Sequence, residues 1–362
     1  MLSTRSPILA KTAYRAVGGV KPLAYQQLPT AARISVVLCQ YHGATLNQPL
    51  QVRSFSFTSK APLQTTQSLQ IAPTKPTQRE TKQSWPHPIY TEKQMVDIEI
   101  AHRQARNFSD KIAINAVRFL RGMFDLATGY KHDPKIASGE KSPKDVTQFA
   151  MTEKKWMVRF IFLESIAGVP GFVAGTLRHL KSIRSLRRDN GWIETLLEEG
   201  YNERMHLLTF LKLHQPGLFM RLMIIGAQGV FYNAFFLSYL LSPRTCHRFV
   251  GYLEEEAVIT YTRAIADIDA GKLPGFENME APQIAVDYWK MNPGAGIRDM
   301  LLYIRADEAK HREVNHTLAN LDGDMDPNPF MTEYEDPSKP HPSKGIAHLK
   351  NTGWSRDEAL SR

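Results

Sequence analysis

The sequence predicts an all-α protein built on a four-helix bundle, and three observations carry that expectation. Apolar residues recur at helical spacing in long segments between residues 110 and 321, no run of alternating strand residues occurs, and no fixed-period repeat or glycine-rich phosphate loop breaks the pattern. With 362 residues and 43% hydrophobic content, the chain can bury one sizeable core, so a single folded domain with tails is expected.

The N-terminal segment stands apart by charge. The first acidic residue is Glu80, whereas nine Lys and Arg precede it; 36 bases and 36 acids then balance over the rest, despite a net charge of +9. An acid-free leader rich in Arg, Ser, Thr and Gln, without a long apolar stretch, reads as a mitochondrial transit peptide over residues 1–55. Arg53 fits a matrix-protease cut after Phe55. The competing reading, a basic arm for nucleic acid, needs more densely clustered bases, so no nucleic-acid partner is expected. Of the two cysteines, Cys39 would leave with the leader and Cys246 would stay, which excludes a disulfide framework or a Cys-based zinc site in the mature monomer.

Residues 56–109, with Pro62, Pro73, Pro76, Pro86 and Pro88, read as an extended arm or linker before a helical domain over 110–321. The first helix, 110–130, is amphipathic and carries Arg118 and Arg121, which suits a membrane surface or a partner. A polar loop over 131–149 follows. The next helix, from Trp156 to Ile183, should kink at Pro170. A third spans Trp192 to His214, closed by Pro216. Leu222 to Pro243 is a stretch of 22 uncharged residues, long enough to cross a bilayer. Three readings compete for it, a transmembrane helix, which composition favours slightly, a buried core helix and one lying in a single leaflet, with Gln228, Asn233 and two tyrosines weakening the first. Helices over 244–270 and 296–321 complete the bundle. The tail, 322–362, with five prolines and mixed charge, is expected to be polar, irregular and exposed.

Four Glu-x-x-His pairs occur, a spacing that puts both side chains on one helix face. Glu308 and His311 continue the apolar row of Leu301, Ile304 and Leu318; Glu203 and His206 lie with Leu196, Phe210 and Leu213. Glu313 and His316 sit about 140° around the helix from Glu308, beside Lys310, Thr317 and Asn320, and are expected to be solvated. Glu99 and His102 fall in the polar segment before the bundle. Glu164 lies among Met157, Phe160, Ile161 and Ala167, where an unpaired carboxylate is costly to bury and needs a cation. Of three adjacent glutamates, Glu254 shares the row of Val250, Ala257, Val258, Tyr261 and Ile265, while Glu255 and Glu256 lie on less apolar rows. The order Glu, Glu-x-x-His, Glu, Glu-x-x-His on four successive helices is the ligand pattern of ferritin-like di-iron or di-manganese carboxylate bundles. Four carboxylates also offset two divalent cations in a low-dielectric interior.

Four blocks, LESIAGVPG at 163–171, NERMHLLTF at 202–210, LEEEAVITYT at 253–262 and RADEAKHREVNH at 305–316, resemble the alternative oxidase family. The resemblance covers about residues 110–320. It implies Glu164, Glu203, His206, Glu254, Glu308 and His311 as ligands of two iron ions, and oxidation of ubiquinol with four-electron reduction of O2 to water, insensitive to cyanide and without proton pumping. Quinol contacts in the family map onto Arg121, Asp125, Arg159, Leu163, Leu253, Ala257 and Thr260. Tyr261 matches the tyrosine beside the iron pair, and Asn202, Trp289 and Asp307 match residues that orient the ligands. The family further implies a homodimer on one leaflet of the mitochondrial inner membrane, matrix side, which turns the reading of 222–243 toward an interfacial helix. Plant members carry a regulatory cysteine upstream of the bundle; residues 56–163 have none, so thiol control by 2-oxo acids is not expected here. The chemistry to be distinguished from this is iron storage on a ferritin-like bundle, a di-iron hydroxylase or desaturase, and a plastid quinol oxidase, the last disfavoured by the Arg-rich leader.

Overall fold

Each segment with helical apolar spacing folds as helix, with ends within about a turn of those expected. In the computed structural model, the described residues are 85–128, 130, 151–336 and 338–361. The leader, the arm up to residue 84 and the 131–149 loop lie outside them. The helices are α1 (Glu92–Val96), α2 (Phe108–Thr128), α3 (Glu153–Ala167), α4 (Val169–Ser185), α5 (Trp192–Leu213) and α6 (Leu218–Leu241). They continue with α7 (Pro243–Asp269), two short helices α8 (Pro274–Glu277) and α9 (Gln283–Trp289), α10 (Ile297–Leu318) and the terminal α11 (Arg356–Leu360). No strand forms among the described residues; one isolated bridge joins Glu280 and Gly296.

The bundle is α3, α5, α7 and α10. Helix α10 lies along α7, α5 along both α3 and α4, and α2 along the outside of α7. Its core is a ladder of rings: Phe160 stacks on Phe210 at 4.8 Å and on Tyr261 at 5.1 Å, with Trp156 behind. Such pairs add roughly 0.5–1.5 kcal/mol each beyond the area they bury. Local signals set the ends. Thr152 caps α3 by accepting from Lys155 N, Ser242 caps α7 ahead of Pro243, and the Asp299 carboxylate accepts from Gly296 N at α10.

The kink expected within one helix is instead a break at Gly168. Pro170 falls in the first turn of α4, where its missing N–H leaves no helical bond unmade. Glycine is required beyond it: a Cβ on Gly171 would stand 2.5 Å from the Leu196 carbonyl and 2.8 Å from Gly200 N, so α4 can lie on α5 only without one.

Helix α6 is not a core helix. Only Phe235 and Tyr239 are buried, while Leu222, Ile225, Val230, Leu237 and Leu240 are exposed. Gln228 is spent within the fold, donating to the Ser165 carbonyl at 2.6 Å. Helix α2 has a matching outer face, Phe119, Leu120, Met123 and Leu126, and an inner one, Asp110, Ala113, Ile114 and Val117.

Two expectations need correction. The tail is irregular but packed rather than exposed: Asp326, Asn328, Trp354 and Ala359 are buried, and Trp192 Nε1 donates to the Asp326 carbonyl at 3.0 Å. Glu313 and His316 are not solvated; both are 0% exposed, because the tail supplies partners to Glu313 and α7 supplies them to His316. A helix face that reads as polar need not be a surface; here the tail and a neighbouring helix supply its hydrogen bonds.

Candidate metal centre

Glu164 on α3, Glu203 and His206 on α5, Glu254 on α7 and Glu308 and His311 on α10 meet at the middle of the bundle, and all are buried. They form two overlapping groups. Glu164, Glu203, His206 and Glu308 present donor atoms within 4.8 Å of one another, and so do Glu203, Glu254, Glu308 and His311. Glu203 and Glu308 belong to both groups.

The donor atoms face a common point rather than each other's hydrogens. His206 Nδ1 stands 3.5 Å from Glu164 Oε2, 3.5 Å from Glu203 Oε2 and 3.3 Å from Glu308 Oε1; His311 Nδ1 stands 2.7 Å from Glu203 Oε1 and 3.5 Å from Glu308 Oε2. Ligand bonds near 2.1 Å put donors on one ion about 3 to 4 Å apart. Among the described residues, Glu164 Oε2, both oxygens of Glu203, His206 Nδ1, Glu308 Oε2 and His311 Nδ1 have no hydrogen bond. Buried polar atoms are almost always satisfied, so this concentration of orphans at one spot fits a bound cation. Carboxylate and imidazole together suit first-row metals such as iron or manganese.

Electrostatics point the same way. Burial pushes Glu164 up to about 8, with Glu203 and Glu308 adding repulsion against the pull of His206, and Glu254 is raised further, by burial and then by Glu308 and Glu203. Glu203 is held low despite burial because both histidines face it. Burial alone would lower His206 and His311, but the carboxylates around them hold both well above the ordinary imidazole value. Cations must replace these protons for the site to bind metal.

Asp307, Asn202 and Trp289 build the frame behind His206. Asp307 Oδ2 accepts from Asn202 Nδ2 at 3.0 Å and Trp289 Nε1 at 2.9 Å and lies 3.1 Å from His206 Nε2. Its other oxygen takes Tyr90 at 2.8 Å and His87 at 2.7 Å. This fixes which imidazole nitrogen faces the centre. His87 and Tyr90 come from the arm, and nothing in a proline-rich segment signals that role; Tyr288, bonded to Asn202 at 2.9 Å, was equally silent.

A cavity of about 600 Å³ leads from the outer faces of α2 and α6 to Glu164, Glu254 and Glu308. Ile112, Leu120, Met123 and Val230 rim it and are exposed. Arg121, Arg159, Leu163, Leu253, Ala257, Thr260 and Tyr261 all line it. Asp125 stands behind the lining, accepting from Arg121 Nε at 2.8 Å and Arg159 Nη2 at 2.7 Å. The Arg159 guanidinium lies over the rings of Phe124 and Tyr130, at 4.6 and 4.3 Å. Tyr261 donates its hydroxyl to Glu164, which places a phenol between cavity and centre. The three adjacent glutamates part company: Glu254 enters the centre, Glu256 pairs with Arg121 on the cavity wall, and Glu255 is bound by His102 and His316.

Residues 90–320 match the alternative oxidase family. The mitochondrial alternative oxidase of Aspergillus niger is 55% identical over 353 residues, 96% of this chain and 99% of its own length. That of Emericella nidulans is 64% identical over 282 residues, 78% of each chain, and that of Ajellomyces capsulatus 59% identical over 326 residues, 89% of each. The matched span runs from Tyr90, which holds Asp307, through the four helices that bring the six donors together to the end of α10, and with relatives this similar the chain belongs to the alternative oxidase family.

Proposed function

We propose that this chain is a mitochondrial ubiquinol oxidase, coupling oxidation of ubiquinol to four-electron reduction of O2 to water at two irons held by Glu164, Glu203, His206, Glu254, Glu308 and His311. The observation that carries the reading is that the apolar cavity ends on the same carboxylates whose orphaned atoms mark the centre. A storage bundle has no use for an apolar entrance of that size. When bound, the iron pair supplies electron storage and a site for oxygen without haem, which is why cyanide is not expected to inhibit.

The chain's own residues do the rest. Arg159, braced by Asp125 and two rings, presents a donor to a quinol oxygen. Thr260 gives its hydrogen to the Glu256 carbonyl at 2.8 Å, which leaves its oxygen to accept from a quinol hydroxyl. With the iron pair bound, Tyr261 would be placed to supply an electron, its proton passing to Glu164 along an existing hydrogen bond. Leu163, Leu253 and Ala257 keep water from the ring.

The exposed apolar faces of α2 and α6 support a monotopic seat in one leaflet, on the matrix side of the inner membrane, with ubiquinol entering directly from lipid. Such a seat moves no charge across the bilayer, in keeping with an oxidase that does not pump protons. Phe172, Ile183 and Leu186, exposed on and just beyond α4, support a homodimer. Residues 1–55 serve as transit peptide, 56–109 as an arm, 110–321 as the catalytic bundle and 322–362 as a tail. The test is oxygen uptake by membranes containing the protein, with a short-chain ubiquinol as donor and cyanide present. Uptake absent from control membranes is expected; none from protein that holds its metal would overturn the reading in favour of storage or hydroxylation.

A further inference from the structure

The centre has a second approach, and charged side chains stand along it. Opposite the apolar cavity, a pocket of about 30 Å³ is lined by Glu198, Glu199, Asn202, Tyr288, Lys310 and His311. That is room for about one water. At its mouth Glu198 and Lys310 pair at 3.4 Å with side chains 34% and 24% exposed. At its inner end lies His311, whose ring belongs to the centre.

Glu199 connects the two ends. It is buried, lies one helical turn before Glu203, belongs to neither donor group, and has no cation within salt-bridge distance among the described residues. Its oxygens accept from one donor, Asn315 Nδ2, at 2.9 and 2.8 Å. Asn315 is held from behind, with its Oδ1 3.2 Å from His247 Nδ1, and His247 reaches Tyr239 at 3.0 Å. The amide is therefore oriented to donate toward Glu199. A buried carboxylate so positioned, and otherwise unused by the reaction, is a costly feature to keep.

We propose that this pocket is the port for protons and product water, and that Glu199 passes protons from solvent toward oxygen being reduced at the centre. The inference rests on the oxidase reading. Each O2 takes four electrons and four protons to give two waters. The electrons come from quinol through the apolar cavity, whereas the protons come from water at the Glu198 and Lys310 mouth. Glu199 gives up its proton on the inner side and is reprotonated from the mouth, and water leaves by the same way. Quinol's own protons return to the same aqueous phase, so that uptake and release cancel and no charge crosses the membrane.

The groups that face Glu199 are consistent with this traffic. Glu198 and Glu203 lie on its own helix, Asp307, Glu308, Lys310 and His311 on α10, His247 and Glu254 on α7, and His87 on the arm. Burial is the largest influence and pushes its carboxyl up; His311 and Asn315 pull against it, and the result is about 7. Both protonation states are thus accessible near neutral pH.

The test uses full-length, iron-loaded protein, reduced with dithionite to two electrons per chain and mixed with oxygen in weakly buffered medium containing a pH-indicator dye, which reads the protons taken up with those two electrons. Because no quinol is present, the result stands even if the chain proves not to oxidise quinol, and quinol-dependent uptake is measured separately. Glu199→Gln keeps the shape and the bond to Asn315. It is expected to hold normal iron, to slow proton uptake by about tenfold, to enlarge the H2O/D2O effect, and to leave the quinol KM unchanged. Glu199→Asp should restore part of the rate. Proton uptake at the wild-type rate in iron-loaded Glu199→Gln overturns the proposal and sends the protons through the quinol cavity. Should that variant hold no iron, Lys310→Met at the partly exposed mouth takes its place, with uptake slowed about twofold expected and an unchanged rate equally fatal.

Discussion

Helix α10 carries two Glu-x-x-His pairs five residues apart, and although both are buried they are answered in opposite ways. Around Glu308 and His311 stand three further carboxylates and a second imidazole, with their inward atoms unsatisfied. Around Glu313 and His316 stand ordinary partners, with only the Oε2 of Glu313 left without one among the described residues. Trp354 Nε1 donates to Glu313 Oε1 at 2.7 Å and Lys350 N at 2.6 Å, while His316 lies between Glu255 at 2.8 Å and Arg248 at 2.9 Å. Spacing and burial are common to both pairs, so neither makes a metal centre. What distinguishes the first is the convergence of four carboxylates and two imidazoles whose inward atoms a bound cation would satisfy.

That contrast can be broken or sharpened by substitution. The largest effect is expected from Glu203→Ala or Glu308→Ala, since each removes a carboxylate common to both donor groups. Metal content and oxygen uptake should vanish together, as elemental analysis and an oxygen electrode would show; full uptake in either variant contradicts the assignment. Next comes Asp307→Asn, which weakens the frame holding His206 and should lower metal affinity by roughly 10- to 100-fold, read by competition with a chelator. Unchanged affinity would mean that the five partners of Asp307 serve folding alone.

Glu313→Gln tests the other face. Burial pushes the Glu313 carboxyl from 4.5 up to about 8. Because the folded value is raised, its contribution is fully present below pH 4.5 and is lost as pH rises toward 8, by an amount on the order of a few kcal/mol. The glutamine variant should therefore match the wild type near pH 5 and exceed it in denaturant midpoint near pH 9, with normal metal content. A difference independent of pH would refute the sign. Smallest is Trp354→Phe, which deletes one hydrogen bond to Glu313 and should cost about 1 kcal/mol in an unfolding titration without altering oxygen uptake.

Much of this was legible in the sequence because the centre is written along helices. A period of 3.6 fixes which residues share a face, so Glu164, Glu203, His206, Glu254, Glu308 and His311 could be read from their apolar neighbours before any contact was known. Glu313 and His316 were misread for the same reason. Their row, with Lys310, Thr317 and Asn320, is polar, and periodicity cannot tell water from a folded-back tail. Trp354 reaches Glu313 across 41 residues and His102 reaches Glu255 across 153, contacts that no local pattern records. The hub at Asp307 was found only through family likeness, and its arm partners His87 and Tyr90 not at all, since they lie outside any helix. Helix α6 could be measured for length but not placed; its exposed face became visible only when α2 and α7 were seen to leave it uncovered.

The most direct test of the central claim is the metal content of purified protein, comparing wild type with Glu308→Gln and Glu313→Gln by elemental analysis. Two irons per chain in the wild type and in Glu313→Gln, with loss confined to Glu308→Gln, is the result the account predicts. Equal loss in both variants, or full iron in Glu308→Gln, would contradict it, because the two faces of α10 would then differ in their neighbours but not in what they hold.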